Sequence, residues 1–236
     1  MIKKIKINPQ KNFVFSLGGS VLFKKNKFDL DYLNSFLKFV KGLLNERKNG
    51  KIIISVGGGV FAREYINALR SLGIKDEFFL DRLGLRVVDL NAFLVLEAFK
   101  GLAYEKVVKN PFYIPKTNKR VIIYGGFKPG FSSDYVASAC AKVYNTNIVF
   151  NLTNVRFLYD RDPKKFRKVK VIVKTSWKDF IDLAGEFTAG KNFPFDPVAS
   201  RFCQKNNLKV VILDGRDFSN LRNAIHGKSF EGSLIY

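Results

Sequence analysis

The sequence predicts an α/β fold built on a mostly parallel sheet with right-handed crossovers, and three observations carry that prediction. Short apolar runs alternate along the chain with stretches of helical periodicity, the pattern of strands separated by crossover helices. Three of those runs end in glycine pairs or triplets, the punctuation of a buried strand entering a tight turn. The chain has 236 residues, 47% of them hydrophobic and 24 of them Phe, enough to bury about 70% or more of the unfolded chain's surface without disulfides. A disordered chain is thereby excluded in spite of the charge.

Residues 13–17 (FVFSL) read as a buried strand that stops at Gly18, Gly19 and Ser20. Leu33, Phe36, Leu37, Val40, Leu43 and Leu44 then recur at three and four, an amphipathic helix with Asp29 or Asp31 to cap it. Residues 51–56 (KIIISV) form the next strand and run into Gly57, Gly58 and Gly59. A helical period covers residues 61–72 and ends at Gly73, and a longer one covers residues 78–99. Residues 104–109 and 120–124 are expected to be strands, the second closed by Gly125 and Gly126. A helix over residues 133–144 and a strand over 146–151 follow.

Beyond Leu152 a basic stretch, residues 156–174, holds Asp160, Asp162 and Pro163 and precedes a helix at 176–183. After a Gly- and Phe-rich loop come a helix at 197–206, a strand at 209–213, a short helix at 219–225 and a last strand at 233–236. There is no internal repeat. The expected organisation is one domain over residues 1–236 with two soft lobes, divided near residue 150, and a short basic extension over residues 1–12.

Forty-one Lys and Arg against 20 Asp and Glu give a formal charge of +21. Such a balance can mark a nucleic-acid binder, because phosphate neutralisation dominates that kind of affinity. Here the basic residues run from Lys3 to Lys228 without concentrating in one arm, and Lys, Asn, Ile and Phe are abundant together. Compositional bias is the expectation, and specific nucleic-acid binding is not. No apolar run reaches the ~18 residues that would span a bilayer, and the first residues show no secretory signal, so a soluble, unprocessed protein is expected. Cys140 and Cys203 sit in helical patterns and no His/Cys cluster has zinc spacing; the setting this implies is reducing and cytoplasmic, with no structural metal.

Ligands of an open parallel sheet bind outside the carboxyl ends of its strands, so the three glycine turns are expected to meet at one crevice. Backbone N–H groups at such turns, with a helix N-terminus behind them, suit an anion, and the ligand should carry phosphate. The P-loop pattern is absent. Gly57, Gly59 and Ala62 fit a relaxed dinucleotide fingerprint, but the acids about twenty positions on, Asp76, Glu77 and Asp81, fall on or beside a helix and not at a strand end.

Seven blocks in a fixed order, FVFSLGGSVL, VGGGVFAREYI, LDRLGLRVVDLNAFL, YGGFKPGFSSDYVAS, NLTNVRFLYDRDP, FDPVASRFCQKNNLKVVILDGRD and NAIHGKSFEGSLI, resemble the amino acid kinase family, most closely its archaeal-type uridylate (UMP) kinases. The resemblance runs from Phe13 to Tyr236. It implies a three-layer α/β/α sandwich, residues 13–150 forming the acceptor side and 151–236 the ATP side. It also implies transfer of the γ-phosphate of ATP to UMP, a step of pyrimidine biosynthesis, with Mg2+ held mainly by nucleotide phosphates, in a hexamer built as a trimer of dimers. Gly18, Gly19, Ser20 and Gly59 then face ATP phosphates, and Thr153, Tyr159 and Asp162 surround the ATP nucleotide. Gly58 and Asp81 belong with UMP, as does the loop of Phe127, Lys128, Pro129, Gly130, Phe131, Ser132 and Ser133. Arg63 matches a phosphate-contacting arginine and Asp134 an organiser of the reacting phosphates.

The residues themselves allow those roles and simpler ones. Phosphoryl transfer between two anionic nucleotides calls for backbone amides, cations and magnesium rather than a covalent nucleophile. Arg63, one turn past the glycine triplet, could fork onto phosphate oxygens, although a first-turn arginine is also an ordinary solvated residue. Asp134 and Asp196 begin helices, where a carboxylate can simply be an N-cap. Lys128 is a candidate cation in the monophosphate loop. His226, near the end of a short helix, suits a surface role complementing the helix dipole. The sequence departs from the family at Ser16, where many members have lysine though the archaeal uridylate branch does not. It departs also at Arg156 and Phe157, which replace Asp-Gly near the ATP base, and at VVDLNA, which lacks a Thr-Arg pair. Three rival readings follow: a family enzyme with another phosphate or carboxylate acceptor, a non-catalytic nucleotide- or anion-binding relative, and a nucleic-acid-binding protein.

Overall fold

Uninterrupted apolar runs become the strands of one central sheet because a parallel strand is buried on both faces. A computed structural model of the chain describes residues 5–161, 166, 168–185 and 195–236. In chain order its elements are β1 (Phe13–Leu17), α1 (Gly19–Leu22), β2 (Phe23–Lys24), β3 (Lys27–Phe28), α2 (Leu30–Glu46), β4 (Ile52–Val56), α3 (Gly59–Ser71), α4 (Glu77–Ala98) and β5 (Val121–Tyr124). There follow α5 (Ser133–Val143), β6 (Ile148–Thr153), β7 (Leu158–Tyr159), β8 (Val171–Ile172), β9 (Lys174–Thr175), α6 (Trp177–Gly185), α7 (Pro197–Lys205), β10 (Lys209–Asp214), α8 (Phe218–Ile225) and β11 (Ser233–Ile235).

The sheet has seven strands in the order β5-β4-β1-β6-β10-β11-β9. Its pairs are parallel except β10 with β11. Alternate side chains split between two cores. Phe15, Ile54, Ile123, Phe150 and Val211 pack under α2, α4 and α8; Val14, Ile53, Ile122, Val149 and Ile212 pack under α5, α6 and α7. The result is the expected α/β/α sandwich, and the carboxyl ends of β1, β4, β5, β6 and β10 lie along one edge.

The helix ends follow local chemistry. Asp29 caps α2 by accepting from the Tyr32 N–H at 3.0 Å, and Gly73 takes φ +87° just past α3, the left-handed stop that glycine makes without strain. Most of the apolar stripe of α2, including Leu33, Phe36, Phe39, Val40 and Leu43, is spent in the core. Exposed apolar side chains gather on α3, which has no buried residue, and on α4, where Phe78, Phe79, Leu90 and Phe93 are each more than half exposed.

Residues 104–109 are not a strand. They touch β5 at isolated bridges, Ala103 with Val121 and Val108 with Tyr124, and bend between them at Glu105 and Lys106. The segment covers the edge strand without joining it, one way a sheet protects unpaired backbone groups. A two-strand hairpin, β2–β3, was not expected: its turn places Lys25 and Asn26 at φ +50° and +57°, the left-handed pair that a two-residue hairpin requires, and only Asn26 signals it. The short strands β7, β8 and β9 lie in the basic stretch, where charge masks any alternation.

Candidate active site

At the end of β4 the glycine triplet is packed too tightly for side chains. A Cβ on Gly19 would lie 2.0 Å from the Gly59 Cα, and one on Gly59, whose φ is +66°, would lie 2.4 Å from the Phe23 ring. The turns after β1 and β4 therefore meet backbone to backbone. The Gly57 N–H is held by the Leu17 carbonyl at 3.1 Å. The Gly57 and Gly58 carbonyls both accept from the buried Asn91 amide, at 2.9 and 3.1 Å. Gly58 caps α3 and Gly59 begins it, and the first N–H groups of a helix have no intrahelical acceptor.

Beside this turn lies a cavity of about 420 Å³ whose lining includes Gly58, Gly59, Asp81, Gly125, Gly126, Lys128, Gly130, Phe131, Ser132, Ser133 and Asp196, a size that suits a small ligand. Ile66, Leu85, Val88 and Val136 supply apolar wall. Asp81 Oδ2 accepts from the Gly130 N–H at 2.7 Å, so α4 fixes the far side of the loop. Ser132 caps α5 through a bond from the Tyr135 N–H at 3.1 Å, and its hydroxyl donates to Asp196. Asp196 also caps α7, accepting from Val198 and Ala199 N–H groups at 2.7 and 3.2 Å. It is thus a helix cap and a cavity wall at once.

Asp134, in the first turn of α5, accepts from the Ser16 hydroxyl at 2.8 Å. The position where many family members carry lysine therefore holds a hydroxyl against this acid. The residue keeps some exposed surface, but its carboxyl is withdrawn from water; burial, and then repulsion from Asp196, push its pKa up to about 7, while the Ser16 bond opposes the rise. Its cap role is taken by Ser132 instead.

The remaining expected site residues are placed as follows. Gly18 donates its N–H to Leu152 O at 3.2 Å, Ser20 lies in α1, and its hydroxyl faces that of Thr153 at 3.4 Å. Tyr159 is half-buried in β7; Asp162 lies outside the described residues. Arg63 is exposed on the first turn of α3, next to the cavity-lining Ala62, and carries no ion pair among the described residues. Phe127 does not line the cavity but braces Phe131 at 5.5 Å between ring centres, with the Lys128 ammonium 5.1 Å from its own ring; Pro129 also stays off the lining. At the Arg156 and Phe157 departure, Phe157 turns into the core and Arg156 faces solvent. His226 meets Glu46 at 3.1 Å, and burial with Arg222, Lys228 and Arg47 nearby lowers its pKa, which works against the dipole-complementing charge expected of it.

Two residues with direct bonds to the glycine turns were missed. Asp89 accepts from the Gly126 N–H at 3.2 Å and pairs with Lys109 at 2.7 Å. Asn91 sits four residues from Val87 and Val95 on the buried stripe of α4, and a polar residue on such a stripe is the signal that could have found it.

The sequence model of the amino acid kinase family matches residues 11–214. The chain is 34% identical over 227 residues to a uridylate kinase of Methanobrevibacter smithii, covering 94% of this chain and 98% of that protein. It is 34% identical to one of Thermoplasma volcanium, covering 92% and 94%. Among solved structures, the uridylate kinase from Archaeoglobus fulgidus superposes with a TM-score of 0.79 at 28% identity, covering 96% of this chain and all of that one.

Proposed function

The chain belongs to the amino acid kinase family, and from that premise we propose that it transfers the γ-phosphoryl group of ATP to UMP, giving ADP and UDP. The observation that carries the reading is the one cavity lined by Gly58 and Gly59 of the triplet, Lys128, Asp81 and Asp196, within a fold and sequence like those of uridylate kinases. In this account the acceptor side is built from residues 13–150 and the ATP side from 151–236. UMP lies against Gly58, Asp81 and the loop of residues 127–133, and ATP phosphates lie at Gly19, Ser20 and Gly59.

Transfer is in line and forms no phosphoenzyme. The protein's work is to orient two anions and to hold their charge, which backbone amides at a helix start, Arg63 and Lys128 can do. Asp134 and Asp196 stand behind the reacting phosphates, Asp196 keeping the acceptor loop in place through Ser132 and Asp134 held on Ser16. Among the described residues no group of three or more His, Cys, Asp or Glu could cage a metal. The paired acids and phosphate-facing amides fit magnesium that arrives on ATP, with phosphate oxygens as its main ligands. Bound there, the ion would neutralise phosphate charge.

The exposed residues Tyr65, Leu72, Phe78, Phe79 and Phe93 support an assembly of several copies through α3 and α4, expected to be a hexamer; a monomeric mass by light scattering would refute it. No helix among the described residues is long and apolar enough to cross a membrane. The free, buried Cys140 and Cys203 agree with a cytoplasmic setting. An ADP-release assay with magnesium ATP and a panel of acceptors tests the reaction: UMP should turn over faster than CMP, AMP or GMP. Equal turnover across the panel, or none, would overturn the assignment.

A further inference from the structure

The side chain of Asn91 is 3% exposed and reaches from α4 to the end of β4, where it meets two carbonyl oxygens, those of Gly57 and Gly58. Only the NH2 end of an amide can donate, so two acceptors fix which way the group is turned. We infer that Asn91 is a positioning residue for phosphate binding, one that sets the orientation of two peptide planes so that the Gly58 and Gly59 N–H groups face the nucleotides.

A trans peptide is planar, with its C=O and N–H pointing in opposite directions. When Asn91 draws the Gly57 carbonyl toward α4, the N–H of Gly58 is turned away from α4; when it draws the Gly58 carbonyl, the N–H of Gly59 is turned likewise. Both glycines line the cavity, and both N–H groups belong to the start of α3, where the helix supplies no acceptor. Gly58 and Gly59 lack the steric restraint that would hold another residue's peptide in one orientation. The helix itself reaches the Gly58 carbonyl only through a long bond from the Ala62 N–H, 3.4 Å, and Asn91 adds two shorter ones to the turn. Preorganised amides bind an anion without reorienting when it arrives, which is where such groups gain their effect on phosphates.

The inference rests on the kinase reading, and one experiment separates the two. Affinities for UMP and for uridine are measured by calorimetry on the wild type, Asn91→Asp and Asn91→Leu. Aspartate keeps the shape but, when ionised, has no hydrogen to donate; leucine keeps approximate volume without polarity. In both variants the UMP-to-uridine affinity ratio should fall at least about tenfold, because uridine lacks the phosphate that the amides face, while uridine binding changes less than about twofold. A residue that merely stabilises the fold would weaken both ligands together. A ratio that stays within about twofold of wild type, or the failure of both variants to fold, would overturn the inference and leave Asn91 a stability residue. A wild type that transfers no phosphoryl group to UMP would instead overturn the kinase reading.

Discussion

Two glycine turns line the same cavity and do different things. The triplet after β4 and the pair after β5 each close a buried parallel strand, and each looks like a phosphate cradle in the sequence. In the structure the pair has no N–H to offer: Gly125 donates to Val108 O at 3.0 Å and Gly126 to Asp89 at 3.2 Å. The triplet has its carbonyls tied back by Asn91 and its last two N–H groups at the start of a helix. At the pair, absence of a Cβ serves packing, since a methyl on Gly126 would meet Leu85 at 2.7 Å. A glycine after a strand is therefore an anion site only where no neighbour has already taken its donor.

The largest expected effect breaks the comparison if it fails. Gly59→Ala must accept φ +66° and a contact of 2.4 Å with the Phe23 ring, and it displaces a donor aimed at phosphate. Its kcat should fall about 1000-fold. Gly126→Ala meets the end of a flexible leucine and loses no free donor, so steady-state assay should find its kcat within about threefold of wild type. Equal losses would mean that both turns hold phosphate.

Arg63 and Lys128 sharpen the same contrast, one standing on the triplet's helix and the other on the loop after the glycine pair. A guanidinium that meets the γ-phosphoryl group more strongly in the transition state than in the ground state affects rate as well as binding. Arg63→Ala should lower kcat by about 100-fold, and Arg63→Lys should recover part of it, keeping charge without the planar fork. A kcat for Arg63→Ala within about threefold of wild type would move the charge neutralisation to Lys128.

A smaller effect concerns the acids opposite the triplet. Asp134 has its pKa raised from 3.8 to about 7 by burial and by Asp196, so the folded protein holds this proton more tightly than the unfolded chain. Stability from this group therefore falls as pH rises between those two values and levels off above the upper one. Asp134→Asn removes that penalty and keeps an oxygen for Ser16. Its melting temperature should exceed that of wild type by a few degrees at pH 8, at about 2 to 4 °C per kcal/mol, and the gap should close toward pH 4. A gap independent of pH would show that the fold does not raise the Asp134 pKa.

The frame was legible because continuous apolar runs such as IIISV and FVFSL can only be satisfied between two helical layers, and because glycines closed them. The motif order pointed to Lys128, Ser132, Asp81 and Asp196, which line one cavity in the structure. Hydrogen bonds between distant segments were not legible: nothing local to Gly126 says that Asp89 will occupy its N–H, and nothing local to Gly57 names Asn91. Residues 104–109 failed for a related reason, since an apolar run pairs as a strand only if its register with the edge strand persists, and here it holds at isolated bridges. Arg63 reads alike as a ligand or as a solvated residue, because exposure on a first turn is common to both.

The central claim is that the triplet and not the pair holds phosphate, and a crystal structure with UMP and a non-hydrolysable ATP analogue measures it directly. The account predicts phosphate oxygens within about 3.2 Å of the Gly58 and Gly59 nitrogens, with the Gly126 N–H still on Asp89. Phosphate bound to the Gly126 N–H, with the triplet's amides turned elsewhere, would contradict it.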